Sequence, residues 1–118
     1  MGAAILIVDD EQNLADLLKL RLDDEGFQVT VAYTGEEAVK DIRAQKPDVI
    51  TLDIYLPDAN GLQMLQKIKS NPETKTIPVI IISSSDEGED AKKNGAAAFM
   101  QKPVNFSKLL ETLKGLKK

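Results

Sequence analysis

Residues 49–61 read VITLDIYLPDANG, an apolar run followed by an aspartate and by residues typical of a loop. Its apolar run, Val49–Leu52, is continuous rather than alternating, which is typical of a strand covered on both faces. The run ends at Asp53, and Pro57 and the pair Asn60-Gly61 then mark a loop. Apolar residues at helical spacing follow the loop: Leu62, Leu65 and Ile68. The stretch therefore predicts a buried strand, a loop and an amphipathic helix, with a carboxylate at the carboxyl end of the strand.

The same alternation of apolar runs and helix-like stretches extends over the whole chain. The runs at residues 4–8, 49–52 and 79–82 are continuous and favour central strands. Those at residues 29–32 and 98–100 are alternating or short and favour edge strands. With right-handed crossovers, these assignments give a parallel five-stranded sheet of order 2-1-3-4-5. This is the flavodoxin-like (βα)5 arrangement, a three-layer α/β sandwich.

Helices are predicted between the strands. Thr34 and Glu37 form a capping-box pattern at the start of the second helix, and Pro47 follows its end. Residues 86–94 contain a single apolar residue, Ala91, so we expect a short or weak fourth helix. The first and last helices carry apolar stripes: Leu14, Leu17, Leu18 and Leu22 in the first, and Leu109, Leu110, Leu113 and Leu116 in the last.

Composition narrows the classes of function. The chain of 118 residues has no histidine and no cysteine, which excludes imidazole catalysis, thiolate chemistry and disulfides. A net charge of −4 and 4% aromatic residues argue against direct contact with nucleic acid. No apolar run reaches the roughly 18 residues of a membrane span, and no signal-peptide pattern is present, so no membrane contact is expected. We expect one domain over residues 1–118 in a cytoplasmic setting.

Polar side chains follow the ends of the predicted strands: Asp9, Asp10, Asp53, Ser83 and Lys102. Carboxyl ends of parallel strands meet at one edge of the sheet, and ligands bind there where the strand order reverses. Carboxylates gathered at one edge repel one another unless a cation neutralises them. Oxygen ligands without histidine or cysteine suit Mg²⁺, with Mn²⁺ as the alternative. Simpler roles stay open: an aspartate capping a helix, a solvated Lys102, and a Ser83 that only begins a turn.

Together, these groups permit one kind of chemistry. A carboxylate nucleophile beside a divalent cation, an ammonium group and a hydroxyl can accept a phosphoryl group and stabilise its oxygens. No P-loop and no G-x-G-x-x-G is present, so nucleotide binding by those routes is not expected.

The ordered set of motifs resembles the receiver domain of two-component response regulators over essentially the whole chain. The motifs that carry the resemblance are Val8-Asp9-Asp10, residues 53–61, Ser83, Gly95-Ala96, Phe99 and Lys102-Pro103. The resemblance implies that Asp53 is the phosphoacceptor. It also implies that Asp10, Asp53 and the backbone carbonyl of Tyr55 bind Mg²⁺ directly, whereas Asp9 acts largely through water.

The resemblance further implies a conformational switch. Lys102 would pair first with Asp53 and later with a phosphoryl oxygen. Ser83 would move toward the phosphoryl group, and Phe99 would turn inward into the vacated space. The Lys102–Pro103 peptide bond would be cis. The phosphodonor would be a phosphohistidine on a histidine kinase or a histidine phosphotransfer domain, and a downstream effector or attached domain would receive the signal. Such a domain is not an enzyme, although it promotes its own phosphorylation and dephosphorylation.

Three features depart from the common pattern of this family. Tyr55 and Ser85 occupy positions that tune dephosphorylation, and neither offers an acid or amide to position water, so we expect a long-lived phosphoryl group. Phe99 stands where many receivers have tyrosine, and plain core packing is its alternative role. The short interval from Ser83 to Gly95 is similar to receivers of hybrid sensor histidine kinases and predicts an altered switch surface.

Other functions compete with this interpretation. A haloacid dehalogenase-like phosphohydrolase also uses Asp, Mg²⁺, Ser and Lys, but it needs a D-x-D pair where this chain has Asp9-Asp10-Glu11. A flavodoxin-type electron carrier shares the fold, but it needs a phosphate loop and stacking aromatics. A phosphorylation-independent interaction module predicts that the acidic and basic set is dispensable.

Overall fold

A computed structural model describes residues 2–116 of the chain. In it, the predicted strands form one parallel sheet of order β2-β1-β3-β4-β5, which confirms the predicted fold class. The strands are β1 (Ala4–Val8), β2 (Gln28–Ala32), β3 (Val49–Leu52), β4 (Val79–Ser83) and β5 (Ala98–Gln101). The strands β1, β3 and β4 are central and almost wholly buried, as their continuous apolar runs predicted.

Helices follow the strands on both faces of the sheet. They are α1 (Gln12–Asp24), α2 (Gly35–Gln45), α3 (Gly61–Ser70), α4 (Gly88–Lys93) and α5 (Phe106–Leu116). At six residues, α4 is shorter than two turns, in agreement with the prediction of a short fourth helix. Within residues 2–116, none of these helices combines the length and the hydrophobicity that crossing a membrane requires.

Two apolar clusters make the layers of the sandwich. Successive side chains of a strand point to opposite faces, so neighbouring residues of β1 enter different clusters. Leu6 and Val8 join the cluster beneath α2 and α3, whereas Ile5 and Ile7 join the cluster beneath α1 and α5. A strand that contributes to two cores needs an apolar residue at every position, which accounts for its continuous run.

The helix termini follow local sequence signals. The Thr34 side chain accepts a hydrogen bond from the Glu37 N–H (3.1 Å), as the capping box predicted. The Glu37 carboxylate reaches the N–H of Tyr33 (2.9 Å), one residue earlier than that motif specifies. Asn60 caps α3 by accepting hydrogen bonds from the N–H groups of Leu62 (2.8 Å) and Gln63 (3.2 Å).

One prediction for α1 is wrong. Leu17 was expected on the buried stripe, but it is 51% exposed, beside Leu20 at 68%. The buried side of α1 is centred on Ala15, Leu18 and Leu22. A helix turns about 100° per residue, so Ala15, Leu18 and Leu22 lie on one side of α1. Leu17 lies on another side and therefore faces away from the core.

Candidate functional site

The sheet brings two of the predicted aspartates side by side. The Asp53 N–H donates to the carbonyl of Val8 (2.9 Å), and the Asp9 N–H donates to the carbonyl of Ala32 (3.0 Å). Both hydrogen bonds continue the parallel ladder one residue past the strands. The two side chains are consequently fixed at the carboxyl edge of the central strands, where Asp9 is 3% and Asp53 is 5% exposed.

Asp9, Asp10 and Asp53 form an acidic cluster at this edge. One carboxylate oxygen from each lies within 4.8 Å of the other two. Asp10 is exposed, which leaves the cluster open to solvent on one side. Glu11 is the N-cap residue of α1, and its own side chain caps no N–H group of that helix. The Asp9 carboxylate accepts a hydrogen bond from the Glu11 N–H (2.9 Å), so Asp9 also helps to fix the start of α1. Three converging oxygen ligands, with room for water on the open side, fit the coordination that Mg²⁺ prefers.

Lys102 lies against this cluster and is not a solvated loop lysine. Its side chain is only 11% exposed, and its Nζ lies 3.1 Å from Asp9 Oδ2 and 3.3 Å from Asp53 Oδ2. It also forms an ion pair with Glu11. Sequence reasoning missed Glu11 as a member of the site, although its position directly after the aspartate pair was a signal. One largely buried ammonium group is thus paired with three carboxylates.

The charges at this edge change the protonation of both partners. Burial raises the pKa of Asp53 and the neighbouring Asp9 raises it further, while Lys102 and the N–H of Tyr55 oppose that rise without cancelling it. Burial acts to lower the pKa of Lys102. Hydrogen bonds to Glu11 and Asp9 and the charges of Asp9 and Asp53 outweigh burial, so this pKa lies above the usual lysine value. Lys102 therefore stays cationic, and the acids still carry uncompensated negative charge that a bound cation would neutralise.

Several hydroxyl groups lie together beyond the carboxyl ends of β3 and β4. The buried Ser83 Oγ lies 3.2 Å from Ser85 Oγ and accepts a hydrogen bond from the Ser85 N–H (3.3 Å). The hydroxyls of Ser85 and Tyr55 both donate to the same carboxylate oxygen of Glu87. We refer to these four side chains as the hydroxyl chain. Sequence reasoning named Tyr55 and Ser85 separately but missed Glu87, which joins them.

The remaining predicted residues lie around β4 and β5. The Lys102 N–H donates to the carbonyl of Ser83 (2.8 Å), which extends the pairing of the two strands. The Lys102–Pro103 peptide bond is cis, as the resemblance implied. Phe99 is partly buried against the core beneath α2 and α3. A Cβ built on Gly88 would lie 3.2 Å from Phe99 Cδ2, so the ring packs closely against the start of α4.

The loop between β3 and α3 is fixed at both ends. A Cβ on Gly61 would lie 2.2 Å from the carbonyl oxygen of Asp53, so only glycine allows this close approach. Asp58 accepts hydrogen bonds from the N–H groups of Gly35 (2.7 Å) and Glu36 (3.0 Å) at the start of α2. These two bonds lower the pKa of the Asp58 carboxyl. Asp58 was not predicted to have this role.

The family follows from comparison with known proteins. The profile described as response regulator receiver domain matches residues 5–114. The chain belongs to this family. Receiver domains are signalling domains of two-component systems, and they bind Mg²⁺ through acidic residues. The phosphohydrolase and flavodoxin alternatives therefore do not hold.

Individual relatives of this receiver support the same family assignment. It is 39% identical to protein PilH of Pseudomonas aeruginosa over 94% of both chains. Other curated relatives are longer, and the receiver covers 44% to 51% of their length. A CheY-like receiver from Methanospirillum hungatei is 31% identical with a TM-score of 0.90, covering 98% of this chain and 93% of that one. The receiver of a histidine kinase from Syntrophus aciditrophicus is 31% identical with a TM-score of 0.89, covering 98% and 89%.

Proposed function

We propose that this receiver is a phosphoacceptor switch in which Asp53 takes a phosphoryl group from a phosphohistidine on a histidine kinase or a histidine phosphotransfer domain. An oxygen of the Asp53 carboxylate attacks phosphorus, the phosphorus–nitrogen bond breaks, and its electron pair stays on the imidazole. Asp53 becomes an acyl phosphate, and the imidazole takes up a proton. These 118 residues contain no histidine, so the donor must lie outside them, on another protein or another domain.

The observation that carries this proposal is the ion pair of Asp53 with Lys102 inside the acidic cluster. Burial of a carboxylate is costly unless its charge is paired, and the Asp53 carboxylate has the Lys102 ammonium group beside it and a hydrogen bond from the Tyr55 N–H (3.4 Å). Asp10, Asp53 and the Tyr55 carbonyl would hold Mg²⁺, with Asp9 acting through water. When bound, Mg²⁺ would neutralise phosphoryl oxygens. Lys102 would bind another of those oxygens.

Transmission of the signal belongs to the same proposal. A dianionic phosphoryl group on Asp53 would attract the Ser83 hydroxyl, and Phe99 would turn into the space that Ser83 leaves. We further propose that Tyr55 and Ser85 make the phosphoryl group long-lived, since neither supplies a group that positions water. The signal would pass to a separate effector or to a domain attached to the receiver formed by residues 1–118, in the cytoplasm.

Intact-mass measurement tests the assignment. Incubation with Mg²⁺ and acetyl phosphate should add one phosphate to the wild type, and omission of Mg²⁺ should abolish the gain. Asp53→Asn should gain none, whereas Asp24→Asn, which changes an exposed aspartate on α1, should behave like the wild type. Phosphate gain by Asp53→Asn would overturn the site assignment. No gain by any variant would favour a phosphorylation-independent interaction module.

A further inference from the structure

We propose that Glu87 is a positioning residue that fixes the direction of the hydroxyl chain and thereby holds Ser83 away from Asp53 in the unphosphorylated receiver. This inference rests on the proposed function of Asp53 and adds a residue that opposes the switch. Glu87 directly precedes α4 and occupies its N-cap position, yet its side chain caps no N–H group of that helix. One of its carboxylate oxygens, Oε2, instead accepts hydrogen bonds from the hydroxyls of both Tyr55 and Ser85.

The number of protons available sets the direction of the hydrogen bonds in the hydroxyl chain. A serine hydroxyl has one proton to donate, and an ionised carboxylate can only accept. Because Ser85 gives its proton to Glu87, its oxygen can only accept from Ser83, which lies 3.2 Å away. The Ser83 proton is therefore used on Ser85, and the Ser83 oxygen is in turn held by the Ser85 N–H. Ser83 must break its hydrogen bond to Ser85 Oγ before it can donate that proton to a phosphoryl oxygen on Asp53.

The same carboxylate reaches the loop that follows the phosphoacceptor. Tyr55 comes two residues after Asp53, and its hydroxyl donates to the oxygen of Glu87 that Ser85 also uses. Glu87 thus ties the loop after β3 to the loop after β4. Next to it, Gly88 is in close contact with the ring of Phe99. Both proposed switch residues thus adjoin the start of α4, Ser83 through Ser85 and Glu87, and Phe99 through Gly88.

Binding of beryllium fluoride in the presence of Mg²⁺ tests this role, because its adduct on a carboxylate mimics a phosphoryl group. We expect Glu87→Ala to half-saturate at about five- to tenfold lower beryllium fluoride than the wild type, the factor for losing one ordinary hydrogen bond at a partly exposed position. Ser85→Ala removes the acceptor for Ser83 and should produce a similar gain. The double variant should show no further gain, because both changes break the same chain.

Two controls separate positioning from charge. Glu87→Gln removes the negative charge but keeps an oxygen that accepts both hydroxyl protons, so it should stay within about twofold of the wild type. Glu89→Ala removes an exposed acid from the same helix and should also leave the affinity unchanged. A gain in affinity for Glu87→Gln equal to that for Glu87→Ala would mean that only charge matters, and it would overturn the proposal. The proposal would also be overturned if Glu87→Ala bound beryllium fluoride with the wild-type affinity. Gains from Glu87→Ala and Ser85→Ala that add up in the double variant would overturn it as well.

The failure of this inference is distinguishable from failure of the proposed function. If the wild type forms the adduct, Asp53→Asn does not, and Glu87→Ala equals the wild type, the phosphoacceptor assignment stands and the role of Glu87 is wrong. If the wild type forms no adduct, or Asp53→Asn forms it equally well, the proposed function itself fails. Far-UV circular dichroism of each variant confirms that the fold is retained.

Discussion

Replacing Lys102 with methionine removes the central charge of the site and keeps most of the unbranched side-chain stem. The Lys102 side chain is 11% exposed and lies 3.1 Å from Asp9 and 3.3 Å from Asp53. Removing one partner of a buried ion pair costs about 3–5 kcal/mol, because the other charge is left unpaired. The pair with Glu11 adds little, because Glu11 is 58% exposed. We expect Lys102→Met to lower the free energy of unfolding by about 3 kcal/mol without metal, or roughly 12 °C in Tm.

The pH dependence of this loss follows from the shifted pKa values. The pKa of Lys102 is raised in the folded state, so its stabilisation is fully present below the unfolded value and is lost only as the pH rises through the folded one. The difference between variant and wild type should therefore stay constant between about pH 6 and pH 9. It should shrink in acid as the carboxyls protonate, beginning with Asp53, whose pKa is already raised.

Urea denaturation in EDTA, followed by circular dichroism, measures the effect as a shift in midpoint at constant slope. Lys108→Met is the matched control, since it removes an exposed lysine of α5. A surface change of this kind shifts stability by about 0.5 kcal/mol or less. If Lys102→Met unfolds at the same urea concentration as the control, the ion cluster does not exist in solution as described, and the reasoning is refuted.

Three further results are expected. Gly61→Ala should lower the free energy of unfolding, measured in urea, by about 1–3 kcal/mol, because the new Cβ would lie 2.2 Å from the Asp53 carbonyl oxygen. Gly115→Ala is the control: this glycine of α5 has open space around it, so the substitution should raise the free energy of unfolding by up to about 1 kcal/mol. Asp58→Asn should lower Tm at pH 7 and match the wild type in strong acid, because the lowered pKa of Asp58 gives stability that is lost as the pH falls through the folded value. The phosphorylated receiver should keep its phosphate for many minutes by intact mass, and loss within seconds without a phosphatase would contradict the roles of Tyr55 and Ser85.

Predictions from local pattern were the most successful. The unbroken run at Val49–Leu52 indicated a strand buried on both faces, and β3 is fully buried. The acids at the ends of β1 and β3 were expected to converge because parallel strands present their carboxyl ends at one edge, and they do so within 4.8 Å. The prediction for Leu17 failed because the spacing of apolar residues does not show which side of a helix is most deeply buried. The buried side of α1 includes Ala15, and Leu17 does not lie on that side.

The sequence by itself determined the order of the strands, the shortness of α4 and the acids, hydroxyl and lysine at the edge of the sheet, because periodicity and strand ends are properties of neighbouring residues. Only the tertiary structure decided that Glu11 joins Lys102, 91 positions away, that Glu87 accepts from Tyr55 across 32 positions, and that Asp58 caps α2 across 22 and 23. These contacts depend on the paths of separate loops and on the side-chain rotamers of exposed acids. Loop paths and side-chain rotamers leave no periodic signal in the sequence. An aspartate or glutamate is the same residue type whether its carboxylate is solvated or paired, so the sequence does not distinguish the two cases.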